Sequence, residues 1–346
     1  MRTFFSVCIL VCMMSLAGCG EGENDPKLSG SGAGTILISD NGSSWASQVS
    51  GTTSQLNSVA FGNISSQGLF VAVGYNGIIL TSPDGSTWTS RTSQNPNGTL
   101  LNLSLYGVTY GNGLFVAVGD FGIIISSPDG INWSQPVPGN INSNPLNGVT
   151  FANGQFVAVG YSGIMYSSDG VNWNSIGTAP SGITGPTADL YNVTYGNGLF
   201  VTAGTYNNSS PNPPIGYNGL IGTSPDGINW TTLTTSNYLS GITYGGGQFV
   251  AVGAGGSILT SPDGKTWTTQ TAAPIANSTL APYLINVIYA DGQYVVTGNY
   301  TASIPSTGFV LTSPDGINWT MPSTGTTNNL YGITFGNGIF VAVGGA

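Results

Sequence analysis

Acid–base chemistry in this chain would have to run on aspartate. The 346 residues include no histidine, four basic residues and thirteen acidic ones. There is therefore no imidazole base. The three cysteines, Cys8, Cys12 and Cys19, lie at the very start, so the body of the chain offers no thiolate nucleophile and no nitrogen or sulfur donors for a metal. A Ser/Lys pair would need Lys27 or Lys265, one in a Gly/Ser-rich lead-in and the other beside a repeated turn. Of the aspartates beyond residue 33, seven recur in one motif, which leaves Asp120, Asp189 and Asp291. Two such carboxyls about 5–10 Å apart could hydrolyse a glycosidic bond. Strings such as Gly245-Gly246-Gly247 join strand to strand, whereas a phosphate cradle needs a helix N-terminus after the glycines. No catalytic group, metal ligand or cofactor is assigned.

The elements around these residues form a repeat. Ser-Pro-Asp-Gly-x-x-Trp, or a near variant, occurs seven times and uses every tryptophan: Trp45, Trp88, Trp133, Trp173, Trp230, Trp267 and Trp319. Its aspartates are read as Asp40, Asp84, Asp129, Asp169, Asp226, Asp263 and Asp315. A second element, Tyr/Phe-Gly-Asn-Gly-Leu-Phe-Val-Ala-Val-Gly, alternates with the first. The unit from Leu105 to Gln135 reads as four short strands: Leu105 to Tyr110, Leu114 to Val118, Ile123 to Ser127, and a short one from Asn132. Gly, Asn and Asp turns join them into an antiparallel meander. Four strands in about 40 residues is the pattern of a β-propeller blade.

The ends of the repeat predict closure. Thr35 to Ser39 is a third strand leading through Trp45 into a fourth, and Phe340 to Gly344 is a second strand. Joining these half-units completes a seventh blade and hides two open sheet edges. A linear array would instead need atypical capping units. The expected fold is all-β, a seven-bladed propeller over residues 34–346.

Residues 1–18 read as a signal peptide, with Arg2 ahead of an apolar stretch from Phe4 to Leu16 too short to span a bilayer. Leu16-Ala17-Gly18-Cys19 resembles a bacterial lipobox, which implies lipidation of Cys19. Residues 20–33 then form a flexible tether. Gly20 in place of Asp, by resemblance to lipoproteins of two-membrane bacteria, implies an outer-membrane destination. The only expected membrane attachment is this lipid anchor. With a formal net charge of −9, nucleic acid is a poor partner.

The Ser-Pro-Asp-Gly motif resembles the Asp-box of sialidases and related propellers, and the repeat is similar to photosystem assembly-factor propellers and bacterial lipoproteins. The resemblance spans residues 34–346 and implies a fold more than an activity. Sialidase chemistry needs an arginine cluster, and Arg91 is the only arginine past Arg2. The motif itself reads as structural: Pro sets φ, Asp accepts turn amides, Gly takes positive φ, and Trp packs between blades.

In such a blade the first-to-second and third-to-fourth turns share one face, here short and repetitive apart from an insertion at Ile64 to Gln67. The second-to-third loops and the blade links share the other. That face receives the long irregular segments and the aromatics Tyr75, Phe121, Tyr161, Tyr206, Tyr217 and Tyr300. Variable loops on a rigid ring are where binding resides, so these six residues are the candidate ligand contacts for a protein or glycan. The expected function is a non-enzymatic envelope or surface lipoprotein, an adhesin or assembly scaffold. A glycosidase-like propeller using the non-motif aspartates, and a purely structural repeat, are the alternatives.

Overall fold

The first hairpin of every blade is set by a two-residue turn with both φ angles positive. The pairs are Asn112-Gly113, Asn153-Gly154, Asn197-Gly198, Gly246-Gly247, Asp291-Gly292, Asn337-Gly338 and, at the insertion, Ser65-Ser66. Asn-Gly is the favoured pair because this turn matches the right-handed strand twist. The computed structural model describes residues 34–92, 102–134, 144–161, 163–176, 188–207, 217–272, 275, 282–300 and 307–345. The signal peptide, Cys19 and tether readings lie outside the described residues. So do most of the long segments assigned to the loop-rich face, at 93–101, 137–143, 177–187, 208–216, 276–281 and 301–306.

The sheets form seven antiparallel blades. Blade 1 runs Leu56–Ile64, Gln67–Gly74, Ile79–Ser82 and Thr89–Arg91. The first strands of blades 2 to 7 are Leu105–Gly111, Leu146–Ala152, Ala188–Gly196, Leu239–Gly245, Pro282–Ala290 and Asn329–Gly336. Each first strand neighbours the next around the ring, including that of blade 7 against that of blade 1, so these strands surround the central channel. In blades 2 and 6 the expected fourth strand is reduced to a bridge, Ser126 with Ser134 and Thr312 with Thr320. The fourth position lies at the outer rim, where little apolar burial rewards a longer strand.

Closure follows the predicted route. Thr35–Ser39 pairs with Ile339–Gly345 on one side, Ile36 opposite Val343 and Ile38 opposite Val341, and with Ala46–Gln48 on the other. A chain lacking residues 34–39 exposes the Ile339–Gly345 edge. Such a chain is expected to self-associate and melt earlier, read by light scattering and circular dichroism. A monomer with an unshifted melt would show that closure does not depend on this strand.

The core lies between blades. Val71, Val73 and Ile79 of blade 1 pack with Phe115, Ile125 and Trp133 of blade 2, all buried, and a comparable cluster fills the other junctions. A fully buried Phe or Val is worth about 1.5–3 kcal/mol, which explains how a ring without disulfides is held. In each blade an aromatic late in the first strand stacks on one in the second, with centroids 4.6–4.8 Å apart, as Tyr110 does on Phe115.

The repeated motif is a turn clamp, as expected. Asp84 Oδ1 accepts the amides of Ser86 and Thr87 at 2.9 and 2.8 Å and the Ser82 hydroxyl at 3.0 Å. Every motif tryptophan donates its indole N–H to the motif glycine carbonyl, at 2.8–3.1 Å. One assignment changes. In blade 7 the residue accepting the amides of Ser43 and Ser44 is Asn41, at 2.8 and 3.0 Å, and Asp40 takes the place that Pro83 holds in blade 1. The clamp needs a side-chain acceptor two residues after the serine, and an amide oxygen serves as well as a carboxylate.

Candidate binding site

On the loop-rich face the channel mouth is built by one irregularity repeated in all seven blades. A leucine near the start of each first strand is followed by a one-residue shift of register, as between Leu105 and Gly107. Such a bulge bends the strand and frees one side chain from the pleat. Opposite each leucine stands the last glycine of the Phe-Val-Ala-Val-Gly element. A Cβ on Gly119 would lie 2.0 Å from the Ser104 carbonyl oxygen, and one on Gly344 1.8 Å from that of Asn329. That glycine is therefore required by the close approach of two backbones.

The bulged residues divide by chemistry. Asn57 and Asn147 reach across the blade junction, each donating Nδ2 to the next leucine carbonyl, of Leu105 at 2.8 Å and Leu190 at 2.9 Å. Ser240 does the same to Leu284. Tyr106, Tyr191 and Tyr331 are too long for that bridge and stay half-buried at the mouth. The Tyr106 hydroxyl donates to Asp120 Oδ1 at 2.6 Å, while Asp120 Oδ2 accepts the Ser104 amide at 2.9 Å.

Across blades 4 to 6 the tyrosines form a continuous wall. Tyr238 and Tyr283, each immediately before the leucine that precedes the bulge of its blade, line up with Tyr191. Ring centroids are 5.1 Å apart for Tyr191–Tyr238 and 5.5 Å for Tyr238–Tyr283, and side-chain hydrogen bonds link each pair. Asp189 stands at the blade 4 end. Its Oδ2 accepts the Tyr191 hydroxyl and its Oδ1 accepts Asn147 Nδ2, both at 2.9 Å. Burial raises its pKa to about 6 against the opposing pull of the Tyr191 and Asn147 hydrogen bonds. Burial and the neighbouring Asp189 carboxylate push the Tyr191 hydroxyl up in turn, and burial does the same to Tyr238.

Five of the six aromatics expected to contact ligand have described side chains, and each belongs to a different blade. Phe121 is 68% exposed and held at φ 53° in a short 3-10 turn, a backbone state disfavoured for a bulky residue. Tyr75 sits in the equivalent turn of blade 1, edge-on to Tyr106 at 6.5 Å. Tyr161 pairs with Asp189 across the blade 3–4 junction. Tyr206 and Tyr300 pack against the cores of their own junctions, Tyr300 stacking on Phe309 at 4.7 Å. The Tyr217 side chain lies outside the described residues. Sequence reasoning missed Tyr106, Tyr191, Tyr238 and Tyr283, because a tyrosine beside that leucine reads as ordinary strand. The signal present was the recurrent Leu-x-Gly/Ser/Asn that marks the bulge.

The three non-motif aspartates separate by face. Asp291 is the first residue of a hairpin turn on the short-turn face, at φ 49°, which leaves Asp120 and Asp189 on the other. Among the described residues no three His, Cys, Asp or Glu cluster. A further concavity of about 340 Å³ lies at the rim between blades 1 and 2, lined by Ser90, Arg91, Thr92, Ile131, Asn132 and Trp133.

No family profile and no curated protein matches this sequence. Solved structures match its fold. A structure of YCF48 bound to a D1 peptide is 17% identical with a TM-score of 0.58, covering 84% of this chain and 93% of that one. YCF48 from Cyanidioschyzon merolae is 16% identical with a TM-score of 0.57, over 84% and 95%. The WD40 propeller domain of Doa1 is 11% identical with a TM-score of 0.56, over 84% and 93%.

Proposed function

We infer that this seven-bladed propeller is a non-enzymatic binding scaffold that docks a polypeptide on its loop-rich face. Exported and anchored through a lipid on Cys19, it works in the bacterial envelope as an adhesin or assembly scaffold. The observation that carries the reading is the exposed, backbone-strained Phe121 beside a channel mouth walled with tyrosine. Strain at an exposed aromatic persists where the surrounding structure enforces it, which marks functional positions, and aromatics dominate interface energetics. The YCF48 structure bound to a D1 peptide is a propeller of the same fold engaged with polypeptide. The placement of the remaining carboxyls argues against a glycosidase: Asp291 lies on the short-turn face, and Asp120 and Asp189 belong to blades 2 and 4.

The test is capture from the native envelope fraction on immobilised protein. Phe121→Ser and Tyr161→Ala are expected to weaken the captured partner about tenfold or more each, the scale of an aromatic hot spot. Ile131→Ser and Ile317→Ser, on the opposite face, are expected to change nothing. Loss with the second pair and retention with the first would move the binding face. Capture of a glycan that resists protease would replace the polypeptide with a carbohydrate.

A further inference from the structure

Asp189 is a half-buried carboxylate at the channel mouth, and no cation among the described residues balances it. Those residues contain two basic side chains. Arg91 is in blade 1 with its Nε donating to Thr81 at 2.8 Å, and Lys265 is in a motif turn on the opposite face. The groups around Asp189 are neutral: Tyr191 from its own strand, Asn147 and Tyr161 from blade 3, and Tyr238 and Tyr283 further along the wall. Burying a charge without a counter-charge is costly, because water no longer solvates it and nothing replaces that solvation in full. Each of its oxygens accepts one hydrogen bond, from Asn147 and from Tyr191, while a carboxylate offers about four acceptor sites.

The far end of the wall holds an independent deficit. Tyr283 stands directly opposite Asn299 in the strand pair, so their side chains share one face of the sheet. Asn299 is 6% exposed, and among the described residues its buried Oδ1 has no hydrogen-bond donor. One run of side chains thus has an uncompensated anion at one end, an unfilled acceptor at the other, and π faces between them. Each of these three features attracts a cation or a strong donor.

We propose that this wall is the docking site for a basic side chain of the polypeptide partner, seated on Tyr191, Tyr238 and Tyr283 and paired with the Asp189 carboxylate. The assignment rests on the loop-rich face being the binding face and supplies its chemistry. A sugar would find the same aromatic surface but would leave the charge unbalanced, and a chain of net charge −9 draws cationic partners over distance.

The experiment titrates the protein with an N-acetylated, C-amidated Gly-Gly-Lys-Gly-Gly peptide, its norleucine counterpart and methyl β-glucoside, reading tyrosine ring resonances by NMR. The lysine peptide is expected to shift the wall resonances, and the two neutral probes are not. Its affinity should fall about tenfold between pH 7.5 and pH 5, as a carboxylate of pKa about 6 protonates. Asp189→Asn should abolish that pH dependence while keeping the native circular dichroism, and Tyr238→Leu should weaken binding with the pH dependence intact. Equal binding of the lysine and norleucine peptides, or an unchanged titration in Asp189→Asn, would overturn the site. So would glucoside binding with the lysine peptide silent. An envelope partner captured equally by wild type and Asp189→Asn would leave the binding face standing and remove this site alone.

Discussion

Gly119→Ala is expected to cost several kcal/mol and to leave little folded ring at 37 °C. The added methyl would sit 2.0 Å from the Ser104 carbonyl oxygen and 2.9 Å from both the Ser104 carbonyl carbon and Leu105 Cα, inside van der Waals contact with that backbone. The backbone there is extended, as its φ of −174° shows, so any residue could adopt the torsion. The obstacle is space. Ser104 cannot withdraw, because its carbonyl accepts the Asp120 amide at 2.9 Å and its amide donates to the Asp120 carboxylate. Overpacked core sites lose about 1–3 kcal/mol when side chains can yield, and more when backbone must move. Gly113→Ala is the control. Its φ is +75° but nothing lies within 4 Å of the new methyl, so the loss should be about 1 kcal/mol. Urea midpoints by circular dichroism separate the two, and equal losses would refute the close-approach account.

Stability is expected to rise and then collapse as the solution is acidified. Asp189 has its folded-state pKa raised to about 6, principally by burial. The folded protein therefore holds that proton more tightly than the unfolded chain does. Its penalty is full above pH 6 and is relieved between there and the ordinary value of 3.8. The motif aspartates run the other way. The Thr87 and Ser86 amides hold Asp84 down at about 2, amides of Thr266 and Lys265 do the same for Asp263, and Asn132 overcomes burial to bring Asp129 to about 2. Asp169, Asp226 and Asp315 lie lower still, chiefly through the amides of Asn172, Asn229 and Asn318. Their contribution is complete above 3.8 and is lost as pH falls toward those folded values. The melting temperature should peak between about pH 4 and 5 by this linkage. Asp189→Asn should remove the rising limb. It should also add about 2–3 kcal/mol at pH 7.5, because a tenfold change in proton affinity on folding is worth about 1.4 kcal/mol. A melt that declines steadily from pH 7.5 downward, identical in the variant, would show that Asp189 is not buried as a charge.

Much of the fold was legible because its instructions are local. Asn112-Gly113 specifies a hairpin whose twist suits strands, and Ser127-Pro128-Asp129-Gly130 specifies a turn whose serine, aspartate and indole hydrogen bonds all close within six residues. Repeating both seven times forces a count of blades, and a count that begins and ends in mid-unit forces a ring. The misplacement of Asp40 shows the limit of matching by residue type, since the clamp asks for an acceptor at a position and Asn41 supplied it.

The candidate site was only half legible. Phe121, Tyr75 and Tyr161 could be placed on the loop-rich face from strand order alone. Nothing in the chain announces that Tyr191, Tyr238 and Tyr283 meet, because they are 92 residues apart from first to last and come from three blades. Nor does it announce that Asn147 reaches Asp189. By itself the sequence determined the turns, the strands, the seven-fold repeat and its closure, all of which depend on interactions within a unit or between its two ends. Only the tertiary structure decided what surrounds Asp189. Packing seven bulged strands about one axis brings side chains of successive blades together, and the burial that follows changes the energy of a charge in a way no neighbour in sequence could foretell.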